Sequence, residues 1–331
     1  MVYCRGTGKS AGTDPVGAGS PPRGGEERQR GRGLAGDSGG TPGPQTQKHQ
    51  YHGGSGPGRL ALVSLGPGSP DYLAPRARAA LTESQVVVGY QTYVDLIAPL
   101  LTHQEVVATG MKAEVKRCQA AIDRVRAGQQ VALISSGDSG IYGMAGLVLE
   151  MCAAQKLRVG PPGAEGEVDL HLEVIPGIPA LAAGAALLGA PLMHDFAAIS
   201  LSDLLTPWEV IERRVTAAAE GDFVIVLYNP KSKKRDWQLQ AVVDLLLKYR
   251  QPQTPVGLVR RARRPGEEVV LATLEKLPAQ QVDMQTIILV GNSQTFRYGD
   301  YLITPRGYLG KYQVAAQVQP PSVPADPPGG G

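Results

Sequence analysis

The 331-residue chain carries 33 basic and 30 acidic side chains, a net charge of +3, and 42% of its residues are hydrophobic. That is enough apolar content to bury sizeable cores, while the charge excess is too small for the footprint of a nucleic-acid binder. Cys4, Cys118 and Cys152 are odd in number and lack metal-ligand spacing, so neither a disulfide framework nor a metal site is expected and a reducing cytoplasm fits. No apolar run reaches the roughly 18 residues of a spanning helix, and the first residues lack the apolar core of a signal peptide, so no membrane partner is expected.

In residues 1–57, crowded with Gly, Pro, Ser and Arg, the only branched aliphatics are Val2, Val16 and Leu34. Such a composition cannot offset its ordering entropy and predicts a disordered extension; the Pro/Gly-rich residues 314–331 predict a loose tail. Between them, aliphatic runs at 60–65, 86–88, 131–134, 170–175, 223–227, 256–259 and 286–290 read as strands. Helix-period segments at 75–82, 115–127, 208–219 and 237–249 alternate with them, the pattern of a βα-repeating α/β protein with largely parallel sheets. A Gly/Pro-punctuated stretch at 188–195 is the candidate hinge between two α/β domains, 58–189 and 190–313.

Three loops carry the ligand signal. The first run ends in Gly66-Pro67-Gly68-Ser69-Pro70-Asp71, at the strand edge where open α/β folds place ligands. The dinucleotide fingerprint needs a glycine where Asp71 stands, and two prolines remove backbone donors, so a β-to-α turn and a ligand loop both remain open. In Ser136-Gly137-Asp138-Ser139-Gly140-Ile141-Tyr142-Gly143, the glycines allow close backbone approach to a ligand. Asp138 or Ser139 can cap the next helix, and Asp138 can complement a cation. Pro176-Gly177-Ile178-Pro179-Ala180 then opens a helix of small residues, suited to close packing or to a flat ligand.

Taken in this order with Ala190-Pro191-Leu192-Met193-His194-Asp195-Phe196, Ser200-Leu201-Ser202-Asp203-Leu204-Leu205-Thr206-Pro207-Trp208-Glu209, Leu227-Tyr228-Asn229-Pro230-Lys231-Ser232, Thr254-Pro255-Val256-Gly257-Leu258-Val259-Arg260 and Thr304-Pro305-Arg306-Gly307-Tyr308, these segments resemble the tetrapyrrole methylases. Within that family they look like the branch that methylates carbon 17 of precorrin-3B or its cobalt-containing counterpart. The resemblance implies two α/β domains with a ligand cleft between them, S-adenosylmethionine as methyl donor, a tetrapyrrole substrate and a homodimer. On the matching positions it implies a cofactor site lined by Pro67, Gly137, Asp138, Ile141, Tyr142, Pro179, Ala180, Leu227, Tyr228, Arg260 and Ala262, largely through backbone contacts. Two positions depart from the family pattern: Ser139 stands where proline is usual, and Pro179 where a threonine or serine is usual, removing a hydroxyl and an N–H.

The implied reaction couples methyl transfer to contraction of the macrocycle, which needs proton movement at an oxygen on carbon 20. His194 is the first candidate for that step, with Asp195 or Asp203 orienting it or acting beside it; the other reading of His194 is a hydrogen-bonded link between domains. The substrate's acetate and propionate arms call for cationic and polar donors, with Lys231, Ser232, Lys233, Arg235 and Arg261 as the candidates. Rival readings are a methylase acting on another tetrapyrrole or on a macromolecule, a nicotinamide-dependent oxidoreductase suggested by the glycine turns, and an anion-binding module built on the arginines at 260–264.

Overall fold

Aliphatic runs buried on both faces dictate the first layer. In the computed structural model, which describes residues 57–232 and 235–311, the first half runs β1 (Arg59–Ser64), α1 (Pro75–Glu83), β2 (Val86–Tyr90), α2 (Gln91–Ile97), β3 (Glu105–Thr109), α3 (Glu114–Arg126), β4 (Gln130–Ser135), α4 (Met144–Ala154), β5 (Val159–Gly160) and β6 (Leu170–Ile175). These strands form one sheet in the order β3-β2-β4-β1-β6-β5, parallel throughout. Successive side chains of a strand point to opposite faces, so Leu60 and Leu62 of β1 join Ile122, Val125 and Val148 of α3 and α4 on one side. Ala61 and Val63 meet Ala77, Leu81, Val94 and Ile97 of α1 and α2 on the other. The expected disordered extension lies outside the described residues except for Pro57, and the expected tail lies outside them entirely.

The second half runs α5 (Ala180–Leu188), β7 (Gly189–Ala190), β8 (Phe196–Ser200), α6 (Trp208–Glu220), β9 (Val224–Tyr228), α7 (Gln238–Leu246), β10 (Pro255–Arg260), β11 (Glu268–Thr273), β12 (Thr286–Val290), β13 (Phe296–Tyr298), β14 (Tyr301–Ile303) and α8 (Tyr308–Lys311). Its five-stranded sheet has the order β11-β10-β12-β9-β8. Here the parallel pairing expected from the βα alternation holds only for β8–β9; the β9–β12, β12–β10 and β10–β11 ladders are antiparallel. For β10 and β11 the reason is the length of the connection: residues 261–267 are too few for the crossover that parallel neighbours require.

Helix α5 follows β6 directly in sequence, and a boundary at residue 190 leaves it with the first sheet. Its apolar face nevertheless packs on the second, where Ala185 and Leu188 meet Val226, Val259, Ile287 and Leu289. The approach is close because a glycine stands on each side of the contact: a Cβ on Gly257 of β10 would lie 2.5 Å from Leu188 Cδ1, and one on Gly184 of α5 2.7 Å from Ile287 Cγ2. The expected hinge is partly strand, since β7 pairs with β14.

Strand β6 is fastened to α1 by charge. Arg76 grips Glu173 with both edges of its fork (Nε–Oε1 and Nη2–Oε2, each 2.8 Å), and Arg59 of β1 also donates to Glu173 Oε2. These contacts, that of Arg76 first, hold the Glu173 carboxyl at about 2, below its ordinary 4.5, although partial burial opposes them. A depressed folded value contributes stability above the unfolded value and loses it as the pH falls through the folded one. Glu173→Gln is therefore expected to lower the urea midpoint at neutral pH, and the gap to the unmodified protein should close between pH 4.5 and about 2.

Candidate active site

Parallel strands deliver their carboxyl-terminal loops to one edge, and three loops of the first sheet are tied together there. The turn after β1 and the loop after β4 exchange backbone hydrogen bonds between Gly66 and Gly137, at 3.0 and 2.7 Å. Both glycines sit at positive φ, +67° and +66°, a region open to glycine at little cost. The Ser64 hydroxyl accepts from the Ser139 N–H at 2.8 Å. The Asp138 carboxylate completes the tie: Oδ1 accepts from Gly140 N–H at 2.8 Å, and Oδ2 from Gly177 N–H at 2.9 Å in the loop after β6. Gly177 has no room for a side chain, since a Cβ would lie 2.5 Å from the Gly137 carbonyl oxygen and 2.6 Å from Ser64 Cβ. Gly137 differs. A Cβ there would meet only Pro179 Cα at 3.7 Å and Ala180 N at 3.8 Å, so its half-buried backbone keeps room beside the start of α5 for a ligand recognised through main-chain groups.

The second sheet meets these loops along its own edge. Tyr142, held at φ +52°, donates its hydroxyl to the Ala198 carbonyl of β8 at 2.9 Å, and its ring lies 4.9 Å from that of Tyr228. The Tyr228 hydroxyl accepts from Leu181 N–H at 3.0 Å, filling the capping role that Pro179 has no side-chain group to play. Burial pushes the Tyr228 phenol up to about 12 and the Tyr142 phenol upward as well. Both rings therefore stay neutral near pH 7 and act as walls and fixed dipoles rather than bases. From the loop after β10, Arg264 donates through Nε to the Pro67 carbonyl and through Nη2 to Ser136 Oγ at 2.7 Å.

The strand directions divide the second sheet's neighbourhood in two. The carboxyl ends of β8, β9 and β10 share the edge that faces the tied loops. At the other end of β8, His194, Asp195, Asp222, Phe223, Asn292, Gln294 and Arg306 help line a separate surface cavity of ≈370 Å³. Among the described residues no group of three or more His, Cys, Asp or Glu side chains is placed to hold a metal ion.

Residues 59–278 match the family described as Tetrapyrrole (Corrin/Porphyrin) Methylases. The chain belongs to this family. It is 51% identical over 263 residues to the "Cobalt-factor III methyltransferase" of Priestia megaterium, covering 80% of this chain but only 47% of that protein. To the "Probable cobalt-factor III C(17)-methyltransferase" of Salmonella typhimurium it is 49% identical over 249 residues, 75% of this chain and 99% of that protein. Among solved structures, the crystal structure of the methyltransferase CobJ superposes with a TM-score of 0.67 at 37% identity, covering 75% of this chain and all of that one.

Of the cofactor residues expected for a tetrapyrrole methylase, the fold brings Pro67, Gly137, Asp138, Ile141, Tyr142, Pro179, Ala180 and Tyr228 to this one edge. Asp138 does not cap the helix after its loop: α4 begins at Met144 without a side-chain cap, because the carboxylate is occupied by the Gly140 and Gly177 amides. Leu227 is fully buried in the apolar core, which leaves only its main chain available. Arg260 pairs with Asp283 at 2.8 Å and Glu268 at 3.5 Å, and Ala262 packs against the core beneath α5.

The expected substrate residues are scattered in role. Lys231 is exposed, and Lys233 lies outside the described residues. Ser232 pairs through its backbone with Arg235. Arg235 is buried and turned onto its own surroundings, donating to Ser202 Oγ at 2.9 Å and to the Asn229 carbonyl at 2.7 Å. Arg261 donates to Gln285 Oε1 at 2.7 Å. Nor are the three proton-transfer candidates together. His194 and Asp195 precede β8, the His194 Nδ1 accepting from Asp195 N–H at 2.8 Å, whereas Asp203 follows the strand and accepts from Gln238 at 2.9 Å. A five-residue strand at about 3.3 Å per residue alone puts roughly 13 Å between its ends. Sequence reasoning missed the Ser64–Ser139 tie and the placement of Arg264; the arginine-rich run was visible, but nothing in it singled out one member.

Asp138→Ala leaves two amide donors without their acceptor and is expected to cost about 1–3 kcal/mol of stability. Asp138→Asn, which keeps one acceptor oxygen, should lose less. Urea denaturation of the two variants ranks them.

Proposed function

We propose that this protein transfers a methyl group from S-adenosylmethionine to carbon 17 of a corrin precursor, with contraction of the macrocycle. We further propose that cofactor and substrate meet in a cleft between the carboxyl edges of its two α/β domains. The observation that carries the reading is the tied three-loop edge, found in a chain that matches 99% of a C(17)-methyltransferase's length at 49% identity. Because the Priestia megaterium and Salmonella typhimurium relatives are named for cobalt-factor III, the cobalt-bearing macrocycle is the proposed substrate, with metal-free precorrin-3B as the alternative to test. A homodimer in the cytoplasm, without nucleic-acid or membrane partners, completes the reading; among the described residues no helix is long and apolar enough to cross a membrane.

A sulfonium cofactor supplies a methyl group already attached to a good leaving group, so the protein's share of that step is alignment and exclusion of water. The open backbone at Gly137, the start of α5 at Ala180 and the neutral rings of Tyr142 and Tyr228 provide a rigid, largely uncharged wall for it. Ring contraction adds a proton transfer. Of the three candidates, Asp203 shares the edge with the tied loops and keeps Oδ1 unengaged among the described residues, while His194 opens on the separate cavity. On these grounds we assign the proton-moving role to Asp203, with His194 and Asp195 as structural groups.

Incubating the protein with S-adenosylmethionine and either cobalt-factor III or precorrin-3B, then weighing the product, tests the reading. A one-methyl mass gain on cobalt-factor III supports it, a gain on precorrin-3B alone moves the substrate to the metal-free form, and no gain on either overturns it. In single turnovers at saturating ligands, Asp203→Asn is expected to slow product formation by roughly 10²- to 10⁴-fold. His194→Ala should stay close to the unmodified rate; a large loss there instead would return the role to the histidine.

A further inference from the structure

Four arginines stand at the end of β10 and in the loop after it, and two of them have a matched charge or face. Arg260 is paired with Asp283 and Glu268. Arg261 donates to the Gln285 amide oxygen, and the Arg263 guanidinium stacks 5.4 Å from the centre of the Tyr72 ring. Arg264 differs from Arg261 in its setting: the Arg261 hydrogen bond is exposed to solvent, whereas those of Arg264 are partly buried. Only neutral acceptors, the Pro67 carbonyl and Ser136 Oγ, receive its hydrogen bonds, and among the described residues no carboxylate lies within 4.0 Å of it.

The side chain is placed there by construction. Arg261 and Arg263 adopt φ +50° and +56°, and Gly266 φ +79°, so the loop doubles back, closed by Arg264 N–H to the Arg261 carbonyl at 2.9 Å and Glu267 N–H to the Arg264 carbonyl at 3.0 Å. Left-handed backbone at residues with side chains is costly and persists where surrounding contacts demand it. The stem of Arg264 then lies over Gly68, where a Cβ would sit 2.4 Å from its Nε. Glycine at position 68 is what lets the guanidinium reach Pro67 and Ser136.

A guanidinium has five N–H donors. Two are spent on the loops, which leaves the two on Nη1 and one on Nη2, the end-on fork that grips a carboxylate with two parallel bonds. An incompletely solvated cation without a counter-charge is costly, and a bound anion offsets that cost. We propose that Arg264 is a carboxylate receptor at the tied-loop edge, taking either the amino-acid carboxylate of the cofactor or an acid arm of the tetrapyrrole. This rests on the functional reading above, and it assigns the loop after β10 a residue that neither Arg260 nor Arg261, engaged as they are, can replace. Burial, which pushes the Arg264 pKa down from its ordinary value, points the same way.

Calorimetry on the full chain separates the two sources of carboxylate. The probes are S-adenosylhomocysteine, 5′-methylthioadenosine, which keeps the nucleoside and thioether but lacks the carboxylate, and uroporphyrin III as a carboxylate-rich tetrapyrrole. If the cofactor's carboxylate is held, Arg264→Gln weakens S-adenosylhomocysteine by about 10- to 100-fold and leaves methylthioadenosine unchanged. If an acid arm is held, uroporphyrin weakens by that factor while both nucleosides bind as before. Arg264→Lys, a point charge without the fork, should recover part of either loss, and Gly68→Ala, which displaces the stem, should mimic Arg264→Gln. The assignment is overturned if no probe distinguishes Arg264→Gln from the unmodified protein. A parallel loss of all three together with a lower Tm also overturns it, since that marks a mere cross-link between loops. Failure of the unmodified protein to bind S-adenosylhomocysteine would instead strike the methyltransferase reading itself, and this inference with it.

Discussion

Two backbone N–H groups from different loops, those of Gly140 and Gly177, share the carboxylate of Asp138, and the rest of the candidate site depends on that arrangement. Loops at a strand edge expose amides that must find acceptors or water. One half-buried acid satisfying two of them fixes the loop after β4 against the loop after β6, while the Gly66–Gly137 exchange fixes it against the turn after β1. The outcome is a main-chain surface whose shape is set before any ligand arrives, which is what a methyl transfer governed by alignment requires. Gly177 is the steric counterpart, because any larger residue would drive the loops apart.

The second sheet completes that surface with uncharged groups and one cation. Tyr142 and Tyr228 touch each other and tie β8 and the first turn of α5 to the loops. With their phenols pushed upward by burial, they keep the wall free of charge at neutral pH. Arg264 stands out against this background because its neighbours Arg260 and Arg263 are matched, one by carboxylates and one by a ring. The division of the second sheet into two edges has a functional consequence as well: the sequence-adjacent stations around His194 and Asp203 face different surroundings despite lying nine positions apart.

Much of the fold was legible because the first sheet obeys a simple rule. Strands buried on both faces read as unbroken aliphatic runs, and helices between them force parallel pairing, as β1, β4 and β6 show. Strands β3, β8 and β11 escaped the reading, since EVVAT, FAAIS and EVVLAT are short and mostly half-buried or exposed, with little periodicity to detect. The antiparallel ladders of the second sheet were hidden for a related reason: the sequence shows alternation of elements, whereas strand direction depends on whether a connection can cross the sheet. The family was legible from the order of its motifs, and the family match over residues 59–278 agrees with it.

The sequence by itself determined what is encoded locally: the aliphatic strands, the glycine-rich turns, and the types of residue available at each loop. Only the tertiary structure decided which of those residues share a surface. Asp138 looked like a helix cap and became the tie between loops, because Gly177, 39 positions away, supplies a second donor. Arg235 looked like a substrate ligand and is turned inward onto Ser202 and Asn229. Arg264 looked like one charge among several and is the one carried to Pro67, 197 positions distant. Composition and spacing record which groups a chain owns, but hydrogen bonds and charge pairing act over a few ångströms, and those distances exist only once the strands have chosen their neighbours.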